Sequence, residues 1–154
     1  MKPFGKILVP IGLDLGPGPI LDLVATVAGA FGAQVTLLHV FETPGYRGPQ
    51  VLDPAQAGTP ELQNALKHWR TAKAMMDLVQ GLGSRGIPAV GRMAFGTIEE
   101  TVASLAGKEG FDLVIIGSQE RTSLERFLTP SVAAALIRTS PCPVLVLPRV
   151  LDVI

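Results

Sequence analysis

Short apolar runs alternate with amphipathic stretches along this chain, and the alternation predicts an α/β fold: a parallel sheet covered by helices on both faces. Three observations carry the prediction. Runs such as Lys6 to Ile11 (KILVPI) and Asp112 to Ile116 (DLVII) are nearly continuous in apolar residues, as strands buried on both faces are. The stretches between them repeat apolar residues at steps of three and four. The 17 glycines and 13 prolines are spread between these elements as punctuation, with no low-complexity segment.

The elements follow in order. Lys6 to Ile11 reads as the first strand. After a Gly/Pro-rich turn, Ile20, Val24, Val27 and Phe31 recur at helical spacing, with Leu23 and Ala28 alongside, and Gly32 stands where a helix C-terminus favours glycine. Gln34 to Val40 (QVTLLHV) reads as the second strand. Residues 42–60 hold prolines and glycines among few apolar side chains and read as a long, mobile loop. Thr59-Pro60-Glu61 is a helix start, with a capping hydroxyl, a first-turn proline and an acid at the positive end of the dipole. Leu62, Ala65, Trp69, Ala72, Met76 and Val79 continue that helix, and Gly81, Gly83 and Gly86 end it. Pro88 to Met93 is a weaker strand candidate. Thr97-Ile98-Glu99-Glu100 has the capping-box form, and Ile98, Val102 and Leu105 give the next apolar stripe. Asp112 to Ile116 is the fourth strand, ending at Gly117. A short helix over 131–138 and a fifth strand over 144–147 close the series.

At 154 residues the chain fits one domain over 1–154, with the loop at 42–60 and a tail at 149–154. Hydrophobic residues make up 47% and charged ones 17%, which excludes a disordered chain. Thirteen basic residues balance thirteen acidic ones, which argues against nucleic acid or an anionic membrane as partner. One cysteine forms no internal disulfide and points to a reducing, cytoplasmic setting. No apolar run approaches the roughly 20 residues that span a bilayer, and the N-terminus lacks the pattern of a signal peptide.

Ligands of parallel sheets bind beyond the carboxyl ends of the strands, near the point where strand order reverses. The segments to inspect are therefore Gly12 to Pro19, Val40 to Tyr46, Ala94 to Thr97 and Gly117 to Ser131.

Four of the quoted motifs, taken together, resemble the universal stress protein family. They are KILVP at 6–10, Gly96 with Ile98 after the third strand, DLVIIGS at 112–118 and SPCPVLVLP at 140–148. The resemblance covers nearly the whole chain in order. It implies a flavodoxin-like, Rossmann-like three-layer sandwich, a five-stranded parallel sheet of strand order 3-2-1-4-5, and a homodimer. It also implies a crevice for ATP built from three parts. An aspartate two residues after the proline of the first strand meets the adenosine end. A residue at the end of the second strand lines the base pocket. A loop of pattern G-x-x-G-x9-G-[ST] after the fourth strand wraps the phosphates.

Pro10, Val40, Gly117 and Ser131 match this pattern, with Val132 beside it. Gly12 stands where the aspartate is expected, Glu120 at the second loop glycine and Pro130 at the third. Each departure has a physical cost. Gly12 offers no carboxylate. Glu120 brings a negative charge toward a triphosphate, and two like charges about 4 Å apart cost roughly 1 kcal/mol in water and roughly 4 near a protein surface. Pro130 removes a backbone donor from an anion-binding helix start. Thr129-Pro130-Ser131 reads instead as a self-sufficient cap, its hydroxyl taking the N–H groups a phosphate would use. On the other side, Arg121 and Arg126 lie in the same loop, with hydroxyls at Ser118, Thr122 and Ser123, and arginine matches phosphate geometry well. Asp14 is available as a substitute acid. The plain reading makes all of these solvated loop residues, with Glu120 or Glu125 offsetting Arg121.

Other residues divide the same way. His39, at the end of the second strand, either faces the crevice or is a hydrogen-bonded structural histidine; the second is the commoner fate. His68 carries no assigned role. Trp69, Met75 and Met76 are core or interface side chains. Cys142 lies between two prolines with no basic neighbour to activate it. Tyr46 and Arg47 either close over a ligand or sit on mobile surface. No G-x-S-x-G, H-E-x-x-H or Walker-type motif is present. Val144 to Leu147 is apolar on both faces, as a dimer strand is, and the tail adds Val150, Leu151, Val153 and Ile154.

The sequence thus supports a cytoplasmic, non-enzymatic binding or regulatory domain with a degenerate nucleotide loop. It acts without cofactor, through a homodimer formed by strand 144–147 and the tail, and through a protein partner. The alternative is an adenine-nucleotide sensor that takes ATP with Mg²⁺ on Gly117, Arg121, Arg126 and Ser131, with slow hydrolysis as a further option. A third reading is a small-molecule binder that kept the crevice and changed its ligand.

Overall fold

The computed structural model describes residues 3–12, 18–41, 50–52, 69–117 and 132–147. In chain order they form β1 (Lys6–Pro10), α1 (Gly18–Phe31), β2 (Gln34–Phe41), β3 (Gln50–Leu52), α2 (Trp69–Ser84), β4 (Ala89–Phe95), α3 (Ile98–Lys108), β5 (Leu113–Gly117), α4 (Val132–Thr139) and β6 (Val144–Leu147). All strands join one sheet in the order β3-β4-β2-β1-β5-β6. The five long-predicted strands pair in parallel, and numbered alone they read 3-2-1-4-5, as expected. The sixth, β3, runs antiparallel to β4 and pairs Gln50 with Phe95 and Leu52 with Met93. It corrects the expectation of an unbroken loop over 42–60. Three strand residues among prolines and glycines carry too little periodicity to stand out. The rest of that loop, the helix start at Thr59-Pro60-Glu61, Leu62, Ala65 and the tail lie outside the described residues.

Side chains alternate between two cores, as a sheet buried on both faces requires. Ile7, Val9, Val35 and Leu37 face α1 and α2, whose Val24, Ala28, Met75 and Leu82 close that side. Leu8, Leu38, Val114 and Ile116 face α3 and α4 through Ile98, Val102, Leu105 and Leu136. Each fully buried aliphatic side chain contributes roughly 1.5–3 kcal/mol over its exposed state.

Two stripes differ from expectation in phase. On α1 the buried line is Leu21, Val24 and Ala28, whereas Phe31 is 39% exposed and meets Phe4 edge-on at 5.1 Å. Only Asp22 and Thr26 mark its polar side, so the pattern left the helix free to turn by one residue. On α2, Met75 is buried and Met76 is 61% exposed. The reason lies across the interface: Gly91 of β4 leaves room there, and a Cβ added to it would stand 2.5 Å from Met75 Cγ. Gly81 and Gly83 lie within α2, and Gly86 alone ends it.

Three helices end by one device. Gly32, Gly86 and Gly110 adopt φ of 61°, 79° and 67°, which side chains resist. The following N–H then reaches back into the helix: Ala33 to the Ala28 carbonyl, Ile87 to Leu82 and Phe111 to Ala106, at 2.9, 3.0 and 3.0 Å. Each returning residue is buried and starts the run into the next strand. Lys6 locks the same end of the sheet. Its N–H donates to Asp112 Oδ2 at 2.8 Å, its Nζ donates to the Glu109 carbonyl at 2.6 Å, and that ammonium lies 4.6 Å over the Phe111 ring.

Candidate functional site at the carboxyl ends of the strands

From β1 the chain proceeds to β2 and β4 on one side of the sheet and then returns to β5 and β6 on the other. The carboxyl ends of β1 and β5 are therefore the topological switch point, the place where parallel sheets of this kind bind their ligands. Pro10 ends β1, is buried and pairs with Leu38. Ile11 donates its N–H to the Leu38 carbonyl at 2.8 Å, and half-buried Gly12 follows. On β2, Val40 is 7% exposed. Gly117 closes β5 opposite Leu147. Val132 begins α4 and packs against the same core that holds Val40. Pro10 shares that face, two residues beyond Leu8.

Five of the expected site positions thus gather at one end of adjacent elements: Pro10, Gly12, Val40, Gly117 and Val132. None of these five described positions carries an ionisable side chain. Arg121, Arg126 and Ser131 lie outside the described residues, as do Asp14, Tyr46, Arg47, His68 and the remaining loop positions 118–130.

His39 lies on the opposite face of the sheet from Val40, since neighbours on a strand point to opposite sides. Its Nδ1 is 3.1 Å from the Ile11 carbonyl oxygen. It is therefore the hydrogen-bonded histidine expected as the commoner fate. Its ring meets Phe41 edge-on at 4.6 Å between centroids, and Phe41 stacks on Phe95 at 5.2 Å and 25°. This aromatic column was missed by sequence reasoning. The available signal was a phenylalanine as the last residue of each strand, just ahead of a loop.

Beside this column the chain leaves β4 through Gly96, at φ 136°, whose N–H donates to the Phe41 carbonyl at 3.1 Å. Thr97 then caps α3, its hydroxyl accepting from the Glu100 N–H at 3.4 Å, as the capping-box pattern predicts. One turn on, Thr101 is fully buried and its hydroxyl has no hydrogen-bond partner among the described residues. Cys142 is half-buried and packs on the α3/α4 core. Both its N–H and its carbonyl are engaged by the Ser140 hydroxyl. Among the described residues no group of three His, Cys, Asp or Glu side chains stands close enough to hold a metal ion, and no helix is long and apolar enough to cross a membrane.

The comparisons with known proteins agree with this geometry. The universal stress protein MJ0577 of Methanocaldococcus jannaschii is 33% identical over 155 residues, covering 95% of this chain and 96% of that protein. The structure of universal stress protein UspA from Lactobacillus plantarum superposes with a TM-score of 0.71 at 21% identity, over 94% of this chain and 97% of that one. A universal stress protein from Archaeoglobus fulgidus, solved in complex with dAMP, superposes with a TM-score of 0.58 at 16% identity, over 94% and 98%. The model of the universal stress protein family matches residues 3–148. With a parallel order of 3-2-1-4-5, a switch point between β1 and β5 and a family match over nearly its whole length, the chain belongs to the universal stress protein family.

Proposed function

We propose that this member of the family is a non-enzymatic binding or regulatory domain whose crevice does not take ATP in the manner the family pattern implies. Gly12 carries the reading. It stands at the exit of β1, on the crevice rim, where an aspartate is expected, and brings no group for a ribose or base to bond. Glu120 and Pro130 in the loop add a repelling charge and a lost donor. On this reading the protein works in the cytoplasm without cofactor. It acts through protein contacts, as a homodimer built on β6 and the tail and with a protein partner. Leu145 at 36% exposure on the edge strand β6 and Ile137 at 62% on α4 support an apolar contact there. Sedimentation tests that part: a dimer that Leu145→Lys converts to monomer is expected, and a monomeric wild-type chain overturns it.

A second reading is favoured by one observation: a universal stress protein of the same fold is solved with dAMP, a nucleotide with a single phosphate. The charge of Glu120 opposes one phosphate less than it opposes three. Gly117, Arg121, Arg126 and Ser131 would then hold an adenine nucleotide, with Mg²⁺ where more phosphates are present.

Isothermal titration of the nucleotide-free protein with ATP and Mg²⁺, and separately with AMP, decides between the readings. No heat at millimolar concentrations of either is the expected result. Micromolar binding, about −8 kcal/mol, overturns the leading reading. If AMP binds and ATP does not, the second reading stands in its single-phosphate form.

A further inference from the structure

We propose that His39 is a clasp that fixes where the chain turns out of β1 and thereby positions Gly12 at the crevice rim. It is a positioning residue that acts through Ile11. Its Nδ1 lies 3.1 Å from the Ile11 carbonyl oxygen, and a carbonyl only accepts, so the ring presents Nδ1–H. The Ile11 N–H is given to the Leu38 carbonyl at 2.8 Å. Both backbone polar groups of Ile11 are thus bound to consecutive residues of β2, one step beyond the last strand pair at Pro10 and Leu38.

The need for such a clasp follows from the next residue. Gly12 has no side chain to restrict its backbone, so a strand exit there leaves the direction of the chain open. Holding Ile11 at both its N–H and its carbonyl removes that freedom one residue upstream. The ring is itself held. Phe41 meets it edge-on at 4.6 Å, and Phe41 stacks on Phe95, directly across the β2–β4 pair. Swinging the imidazole away from Ile11 would break the edge contact. The device spans three adjacent strands, β1, β2 and β4, and it serves the crevice whichever occupant the titration finds.

Three side chains at position 39 separate a clasp from mere filling of space. Asparagine places an amide N–H where histidine has Nδ1–H. Glutamine places it where histidine has Nε2, and leucine has no donor. The Ile11 N–H stays on the Leu38 carbonyl in every variant, so its exchange reads the clasp through local opening of the strand exit, and exchange at Ile115 in the interior of β5 reads global folding. In His39→Gln and His39→Leu, Ile11 is expected to exchange roughly five- to tenfold faster, the size of one hydrogen bond, with Ile115 unchanged. In His39→Asn, Ile11 is expected to exchange within about twofold of wild type, inside the usual scatter of surface substitutions. Equal acceleration in all three variants, or none in any, overturns the proposal. A measurement on the unmutated protein guards against variants that do not fold. Nitrogen NMR of labelled histidine, well above the ordinary histidine pKa of about 6.5, is expected to show the Nδ1–H tautomer at His39. The Nε2–H tautomer overturns the clasp.

Discussion

At the amino ends of its strands the sheet is shut by three helix termini and by Lys6; at the carboxyl ends the chain leaves β1, β4 and β5 through glycine. Both ends rely on glycine, for opposite reasons. Gly32, Gly86 and Gly110 are needed for a left-handed turn that sends the chain straight back into a strand, and hydrogen bonds close each turn. Gly12 and Gly117, both half-buried, stand at the strand exits without a side chain. The first use supplies stability; in the second, Gly12 borrows its order from neighbours, through the contact of His39 with Ile11. Closed turns and the proposed site therefore lie at different ends of the same strands.

That separation is open to direct attack. The largest expected effect comes from the layer both ends share: Ile115→Ala in the middle of the sheet should cost about 2–5 kcal/mol, read by urea unfolding. A loss under about 1 kcal/mol would mean that the site collapses without a cavity and that the two ends do not depend on one core. Next, Gly110→Ala should cost about 1–2 kcal/mol by forcing a side chain into φ 67°. It should leave Ile11 exchange unaltered relative to global stability, and faster local exchange at Ile11 would join the two ends that are here held apart. Smaller and opposite in sign, Thr101→Val should stabilise by about 1 kcal/mol, because it removes a buried hydroxyl that no partner among the described residues satisfies. A destabilised variant would mean the hydroxyl has an ordered water. Smallest in stability, Gly12→Asp should change unfolding by less than about 0.5 kcal/mol. Combined with Glu120→Gly and Pro130→Gly, it is expected to create ATP binding measurable by titration. If the triple variant stays silent, those three positions do not explain the crevice.

How much of this was legible in the sequence depended on what each residue had to contrast with. The strands KILVP, DLVII and VLVL were legible because each holds an unbroken run of four apolar residues, with Lys6 and Asp112 standing only at the leading position of the first two, and the Thr97 cap because its chemistry is local. The phase of α1 and α2 was not. Val24 and Ala28 were within the expected stripe, but the choice of Leu21 over Ile20, and of Met75 over Met76, was made by the opposing surface, Gly91 above all. β3 exists only as a partner of β4 and has no pattern of its own. At the site, Pro10, Val40 and Gly117 were legible as strand ends. The Phe41–Phe95 column was not, since the two residues lie 54 positions apart and meet only through the β2–β4 register.

Lys6 also sets an order of events for the growing chain. β1 finds one partner early, because Lys6 pairs with Gln34. Its other edge pairs with nothing until Leu113 and Val114 arrive, and the bond from Lys6 to Asp112 spans 106 positions. During synthesis this inner strand of the finished sheet is therefore an edge strand until β5 is made, apolar and unpaired on one side. A chain that stalls before β5 carries that bare edge and is the form most exposed to aggregation. Completion of the sheet thus waits for β5, however early the first strand is made.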